Sequence, residues 1–135
     1  MHAEGGPLTA GEQVGPFRIV GFLGEGGLGF VYRAVSDDGD EVALKVLKPE
    51  WADDTTVIQR FEREARVART INHPHVVPVL ASGDIGGIPY LAQRFVGGGT
   101  LAQRIEQAGR LDPVSTVVIC QQVAAGLDEI GRAHV

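Results

Sequence analysis

Cysteine is almost missing from this chain: one residue, Cys120, stands among 135. It has no partner for an internal disulfide, which points to a reducing compartment. Basic charge is also scarce, with 12 Lys and Arg against 17 Asp and Glu and a net charge of −5. That balance argues against a general nucleic-acid binder, which needs a basic face. No apolar run reaches the roughly 20 residues of a membrane span. Met1 to Gln13 have neither a basic start nor an apolar stretch, so they do not read as a secretory signal. Repeats and low-complexity tracts are absent. The four histidines, His2, His73, His75 and His134, lack ligand spacing, so no metal site is expected.

Apolar residues and glycine are present in quantity. Hydrophobic residues make up 44% of the chain, enough for a folded domain rather than a disordered one. The length suits one domain that buries about two-thirds of its unfolded surface. Glycine contributes 19 residues, about twice the average usage of roughly 7%. The glycines have no three-residue period, which excludes collagen. Four of them fall within residues 1–15, which read as a disordered leader, with order starting at Pro16.

Residues 17–23, 30–35 and 41–47 alternate and are rich in β-formers, so they read as three strands of an antiparallel meander. Asp38-Gly39 supplies the second hairpin turn. Residues 57–70 carry a helical pattern that Thr55 or Thr56 can cap, and His73-Pro74 ends it. Residues 76–81 and 88–95 read as two more strands, with Pro78 placed where a missing N–H is tolerated. Gly97-Gly98-Gly99 marks a hinge. Beyond it the pattern is helical: 100–108, then a longer helix opened by Asp112-Pro113 and running to about Gly131.

The chemistry concentrates in two places. Gly24-Glu25-Gly26-Gly27-Leu28-Gly29-Phe30-Val31 matches G-x-G-x-x-G-x-V. A dinucleotide site has the same glycine spacing but needs a helix directly afterwards. Here a β-rich run follows, so the glycines belong to a strand–turn–strand. Such a turn can lie close over a triphosphate and offer its N–H groups; the bland reading is a glycine-rich hairpin without a ligand. Lys45 lies on the third strand among apolar neighbours, and a buried ammonium needs a partner. Glu64 falls within the apolar stripe of Val57, Phe61, Ala68 and Ile71, and pairing with Lys45 accounts for both. The alternative is a Glu64 at the stripe edge, in water or paired with Arg60. Lys48 reads as a solvated strand-end residue, Trp51 as packing, and Thr55, Thr56 and Thr100 as caps or solvated hydroxyls. Cys120 reads as core.

Together these residues resemble the N-terminal lobe of a eukaryotic-type serine/threonine protein kinase in its bacterial form. The glycine loop and Tyr32 resemble the family's nucleotide loop. Val42-Ala43-Leu44-Lys45 resembles V-A-I-K, and Arg63-Glu64-Ala65 resembles the segment with the helix-C glutamate. Ile71-Asn72-His73-Pro74-His75-Val76-Val77 and Tyr90-Leu91-Ala92-Gln93-Arg94-Phe95-Val96 resemble the stretches that follow. The resemblance spans about residues 16–135. It implies an α+β fold: a five-stranded antiparallel sheet with one helix C over 16–96, a hinge at 97–99, and an incomplete helical C-lobe over 100–135.

The resemblance also implies roles. ATP is the expected ligand, with Leu23, Val31 and Ala43 around the adenine. The loop residues Gly24, Glu25, Gly26, Gly27, Leu28, Gly29 and Phe30 would cover the phosphates. Lys45 would hold the α- and β-phosphates, positioned by Glu64. Gln93 takes the gatekeeper position, and the backbones of Arg94 and Val96 would meet the adenine edge. Many relatives have Met and Glu where this chain has Gln93 and Arg94. The sequence contains no H-R-D-x-x-x-x-N and no D-F-G motif, so the Mg2+ ligands are expected outside it and the polypeptide alone is expected to be inactive. Protein serine and threonine hydroxyls are the implied acceptors, and the cytoplasm, or the cytosolic part of a membrane-anchored kinase, the implied location. The alternative is a kinase-derived non-catalytic nucleotide-binding or dimerisation module; a dinucleotide oxidoreductase comes third. The last helix is apolar all round its wheel and expects burial on every side. It is therefore expected to drive association, swapping or disorder, with a homodimer through this helix as one form of it; the resemblance implies the N-lobe as the other homodimer contact.

Overall fold

Phe17 and Ile19, Tyr32 and Ala34, and Val42, Leu44 and Val46 are buried at alternate positions of the meander, and the structure follows from that alternation. A computed structural model describes residues 8–99 and 101–133. Strands β1 (Gln13–Val14), β2 (Phe17–Glu25), β3 (Gly29–Ser36) and β4 (Glu41–Leu47) run in sequence order. A 3₁₀ turn at Pro49–Trp51 leads to helix α1 (Thr55–Arg69), then β5 (Val79–Ile85), β6 (Ile88–Arg94), α2 (Leu101–Ala108) and α3 (Pro113–Ala133). The six strands form one antiparallel sheet in the order β1-β2-β3-β4-β6-β5. Val42, Leu44 and Val46 of β4 join Tyr32, Ala34, Tyr90 and Ala92 in the core on one side. Lys45 alternates to the opposite side, where Phe61 of α1 lies.

The sheet has one strand more than expected, and the expected disorder of residues 1–15 fails at its C-terminal end. Residues 1–7 lie outside the described residues. Val14 is only 4% exposed, and Gln13 pairs with Arg18 across β2. Gly15 makes the turn possible: its φ is +55°, and a Cβ there would come within 2.6 Å of the Tyr90 hydroxyl. Tyr90 also stacks edge-on against Phe17. A core aromatic from the far side of the sheet therefore supplies the seat for the N-terminal strand.

Two other boundaries move. The strand expected at 76–81 begins at Val79 instead, because Pro78 cannot donate to a ladder; its carbonyl accepts the Arg94 N–H at 3.2 Å. That strand runs on to Ile85, and Gly86 and Gly87, both at positive φ, make the two-residue turn into β6. Helix α1 is capped by Asp54, not by Thr55 or Thr56: the Asp54 carboxylate accepts the Val57 N–H at 3.2 Å.

Asp112 caps α3 as its sequence predicts. Its carboxylate accepts the Ser115 backbone N–H and hydroxyl, both at 2.8 Å, and these bonds hold the carboxyl below its ordinary value of 3.8. A lowered carboxyl contributes while ionised, so the contribution is fully present above the ordinary value and is lost as pH falls below that value through the lowered one. Protection of the Ser115 amide, measured against the unfolded chain at the same pH, is expected to fall on acidification through that range, and to be already low in Asp112→Ala.

Helix α3 comes closest to the rest of the chain at its one buried residue, Gly126. A Cβ there would stand 2.8 Å from the His75 carbonyl oxygen and 3.4 Å from the Val76 side chain. Elsewhere Val114, Val117, Val123 and Leu127 are exposed, so the apolar circumference seen in the sequence is uncovered among the described residues. Gly126→Val is expected to cost about 1–3 kcal/mol in chemical denaturation, because backbone must shift to admit it. Gly131→Ala, whose methyl meets nothing within 4 Å, is expected to stabilise by roughly 0.5–1 kcal/mol through helix propensity.

Candidate functional site

The glycine motif forms the tip of the β2–β3 hairpin, so the strand–turn–strand expectation holds. Gly24 pairs with Val31 and Glu25 with Phe30, and the Gly26 N–H closes the turn onto the Gly29 carbonyl at 2.8 Å. None of Gly24, Gly26, Gly27 and Gly29 has a positive φ. Backbone conformation therefore does not account for these glycines, and space accounts for only one of them. A Cβ on Gly29 would lie 2.7 Å from the Val46 carbonyl oxygen and 3.5 Å from Lys45 Cε. At Gly24 and Gly27 a Cβ would meet nothing within 4 Å. Gly29 is thus glycine because β4 passes close beneath it, while Gly24 and Gly27 border open space.

Lys45 sits beneath this hairpin, opposite Val31 on β3 and Leu91 on β6. It is half-buried, with its ammonium 5.9 Å from the centre of the Phe61 ring. Lys45, Phe61, Glu64, Gln93 and Leu91 line one cavity of about 270 Å³, which Ile130 of α3 also borders. Ala43 pairs with Gln93, so the residue expected at the adenine and the one expected at the gatekeeper are cross-strand partners. Leu23 is exposed at a bulge of β2, and Val31 is half-buried.

The hinge approach is anchored from two sides. The Arg94 N–H is taken by Pro78, and the Phe95 N–H donates to the Glu41 carbonyl at 3.3 Å. Arg33 lies 4.8 Å from the centre of the Phe95 ring and pairs with the Glu41 carboxylate. Val96, just beyond, is 62% exposed. No backbone hydrogen bond among the described residues ties Val96 down.

The expected Lys45–Glu64 ion pair is not formed in this structure. Glu64 pairs instead with Arg60, one helical turn back, at 3.4 Å, and its side chain is 60% exposed. The reason lies in the helix face. The buried residues of α1 are Phe61 and Ala65, which puts the centre of packing between them and Glu64 about 80° around the wheel. A carboxylate on that flank reaches water. Among the described residues no carboxylate pairs with Lys45.

Two residues with no assigned role in the sequence lie at the loop. The Lys48 ammonium reaches Glu25 at 2.6 Å, and its side chain is only 11% exposed, so it is not the solvated residue expected. The Trp51 indole N–H donates to the Gly27 carbonyl at 3.4 Å. Their only sequence signal was position, shortly after the lysine strand. No group of three or more metal-ligating side chains occurs among the described residues, and no helix among them is long and apolar enough to cross a membrane. A larger cleft of about 370 Å³ lies between α1 and the β5–β6 hairpin, away from the loop, and none of the residues expected to act lines it.

Because Glu64 is exposed and its partner is one turn away, Glu64→Gln is expected to change unfolding free energy by under about 0.5 kcal/mol. A carboxylate buried against Lys45 would instead leave an uncompensated ammonium and cost about 3–5 kcal/mol. Chemical denaturation separates the two.

The sequence pattern of the protein kinase domain matches residues 17–135. Serine/threonine-protein kinase PknD of Mycobacterium tuberculosis is 37% identical over 119 residues, covering 87% of this chain and 18% of that protein. Serine/threonine-protein kinase PknE of the same species is 37% identical over 119 residues, covering 87% of this chain and 21% of its own length. The crystal structure of the M. tuberculosis PknI kinase domain superposes with a TM-score of 0.75 at 31% identity, covering 93% of this chain and 52% of that one. The chain therefore spans about a fifth of these curated relatives and about half of the solved kinase domain.

Proposed function

The chain belongs to the protein kinase domain family, and on that premise we propose that it is the ATP-binding half of a serine/threonine protein kinase. The observation that carries this reading is the placement of Lys45 under the glycine hairpin, with Gly24 and Gly27 open above and Gly29 closely packed against β4. A cradle of backbone N–H groups over one ammonium suits a polyphosphate. Leu23, Val31 and Ala43 supply apolar surface for a purine, and the open backbone at Val96 supplies its polar edge. The dinucleotide alternative lacks its helix, since β3 follows the loop directly.

ATP, when bound with Mg2+, brings the phosphoryl group that protein serine or threonine hydroxyls accept. The chain's own residues bind and orient. Lys45 neutralises phosphate charge, and the loop N–H groups hold the phosphate oxygens. Glu64 positions Lys45 once Arg60 releases it. The acceptor-activating and Mg2+-binding motifs are not among the 135 residues, so the polypeptide alone does not transfer phosphate. The second reading, a non-catalytic nucleotide-binding or dimerisation module, draws on the exposed Val114, Val117, Val123 and Leu127 of α3.

Calorimetric titration of Mg2+·ATP into the polypeptide tests the cradle. Saturable binding is expected, weakened about tenfold or more, ~1.4 kcal/mol, by Lys45→Ala. No saturable binding, or equal binding by the variant, overturns the reading. A phosphorylation assay with the same polypeptide is expected to give no incorporation. Incorporation that Lys45→Ala abolishes would overturn the inactivity.

A further inference from the structure

We infer that Lys48 and Trp51 form a clamp that holds the glycine loop in place, which makes them positioning residues for a nucleotide's phosphates. The inference rests on the nucleotide-loop reading above. Three separate bonds converge on the loop from one short segment. The Lys48 ammonium bonds Glu25 at 2.6 Å, the Lys48 backbone N–H bonds the Leu28 carbonyl at 2.8 Å, and the Trp51 indole bonds the Gly27 carbonyl at 3.4 Å. They involve three of the five residues from Glu25 to Gly29, a stretch where three glycines give the backbone little stiffness of its own.

The clamp is built on a firm base. Lys48 ends its run against the Phe30 ring, 5.4 Å from its centre. Phe30 in turn packs with Phe22 and Tyr32, at 6.3 and 6.5 Å between ring centres, and Tyr32 is fully buried. Trp51 is fixed by the 3₁₀ turn, its own N–H bonded to the Lys48 carbonyl at 3.0 Å. The ammonium is mostly withdrawn from water, so its pairing with Glu25 is less screened than an exposed pair.

The clamp also orients the loop. In a trans peptide the C=O and the following N–H point in opposite directions, and no cis peptide occurs here. Drawing the Gly27 and Leu28 carbonyls toward the clamp turns the Leu28 and Gly29 N–H groups away from it. A loop already held in one arrangement loses less entropy when a ligand is bound, so the clamp raises nucleotide affinity without touching the nucleotide.

Hydrogen exchange by NMR on the 135-residue polypeptide tests the clamp without any ligand. Lys48→Met and Trp51→Phe are each expected to speed exchange about tenfold at the Gly26 and Lys48 N–H groups, which the Gly29 and Leu28 carbonyls accept, while leaving α1 unchanged. Lys48→Arg is expected to preserve protection. Glu25→Gln, at an exposed side chain, breaks the same ion pair from the other end and serves should Lys48→Met fail to fold. Unchanged exchange at these two N–H groups in Glu25→Gln and Trp51→Phe overturns the clamp. Titration with Mg2+·ATP then tests positioning: a several-fold weaker affinity in the clamp variants supports it, and equal affinity overturns it. If the wild type binds no Mg2+·ATP, the proposed function fails, and with it the positioning role, while the exchange result still decides the clamp.

Discussion

Strand β4 works on both of its faces, and the rest of the molecule is arranged around that constraint. Val42, Leu44 and Val46 supply one half of the core. Each is matched across β3 or β6 by another buried residue, as in the pairs Leu44 with Tyr32 and Leu44 with Ala92. The strand's period of two then leaves Lys45 no choice of side. It must emerge opposite the core, between the glycine hairpin and α1. A one-residue slip would put the ammonium in the core and the aliphatic residues at the site, so burial of the strand is also what aims its lysine.

Around that strand, local and long-range forces settle different things. The hairpin at Gly26–Gly29 comes from the flanking strands and from the close passage of Val46 under Gly29. Its tip is held from outside by Lys48 and Trp51, which are 23 and 24 residues from their partners. Helix α1 shows the opposite balance. Its Glu64 takes the nearest cation, Arg60, because a partner one turn away needs no rearrangement of the helix against the sheet, whereas reaching Lys45 does. The lysine meanwhile rests over the Phe61 ring, a weaker but available site for an ammonium.

Helix α3 attaches through a narrow contact. Gly126 lets the helix backbone close on the His75 carbonyl, and Ile130 reaches the edge of the cavity that holds Lys45. The helix start behind Asp112 is as well made as any in the chain, yet most of its apolar side faces outward. Its start is thus secured by its own cap, while its Val, Ile and Gly residues favour a helix little, and its backbone packs most closely where a missing side chain permits approach.

The amino-acid order alone determined whatever depends on backbone periods and turn chemistry. That includes the three meander strands, the Asp38-Gly39 hairpin, both main helices, the Asp112 cap, and the nature of the glycine loop as strand–turn–strand. The placing of the loop and of Lys45 was legible too, because both lie on strands whose alternation dictates it, whereas Gln93 was singled out by the family resemblance. Tertiary structure alone decided which charged groups met. Glu64 lay on the stripe by counting, but the centre of burial is set by what the sheet presents to α1, and a shift of under a quarter-turn moved it to water. Lys48 was readable as a strand end but not as a clamp, and Val14 as leader but not as a sixth strand. Each depends on a surface supplied from elsewhere in the chain: the loop tip for Lys48, and Tyr90 for the turn at Gly15. A local period says which way a side chain points, and only the packed sheet says what it finds there.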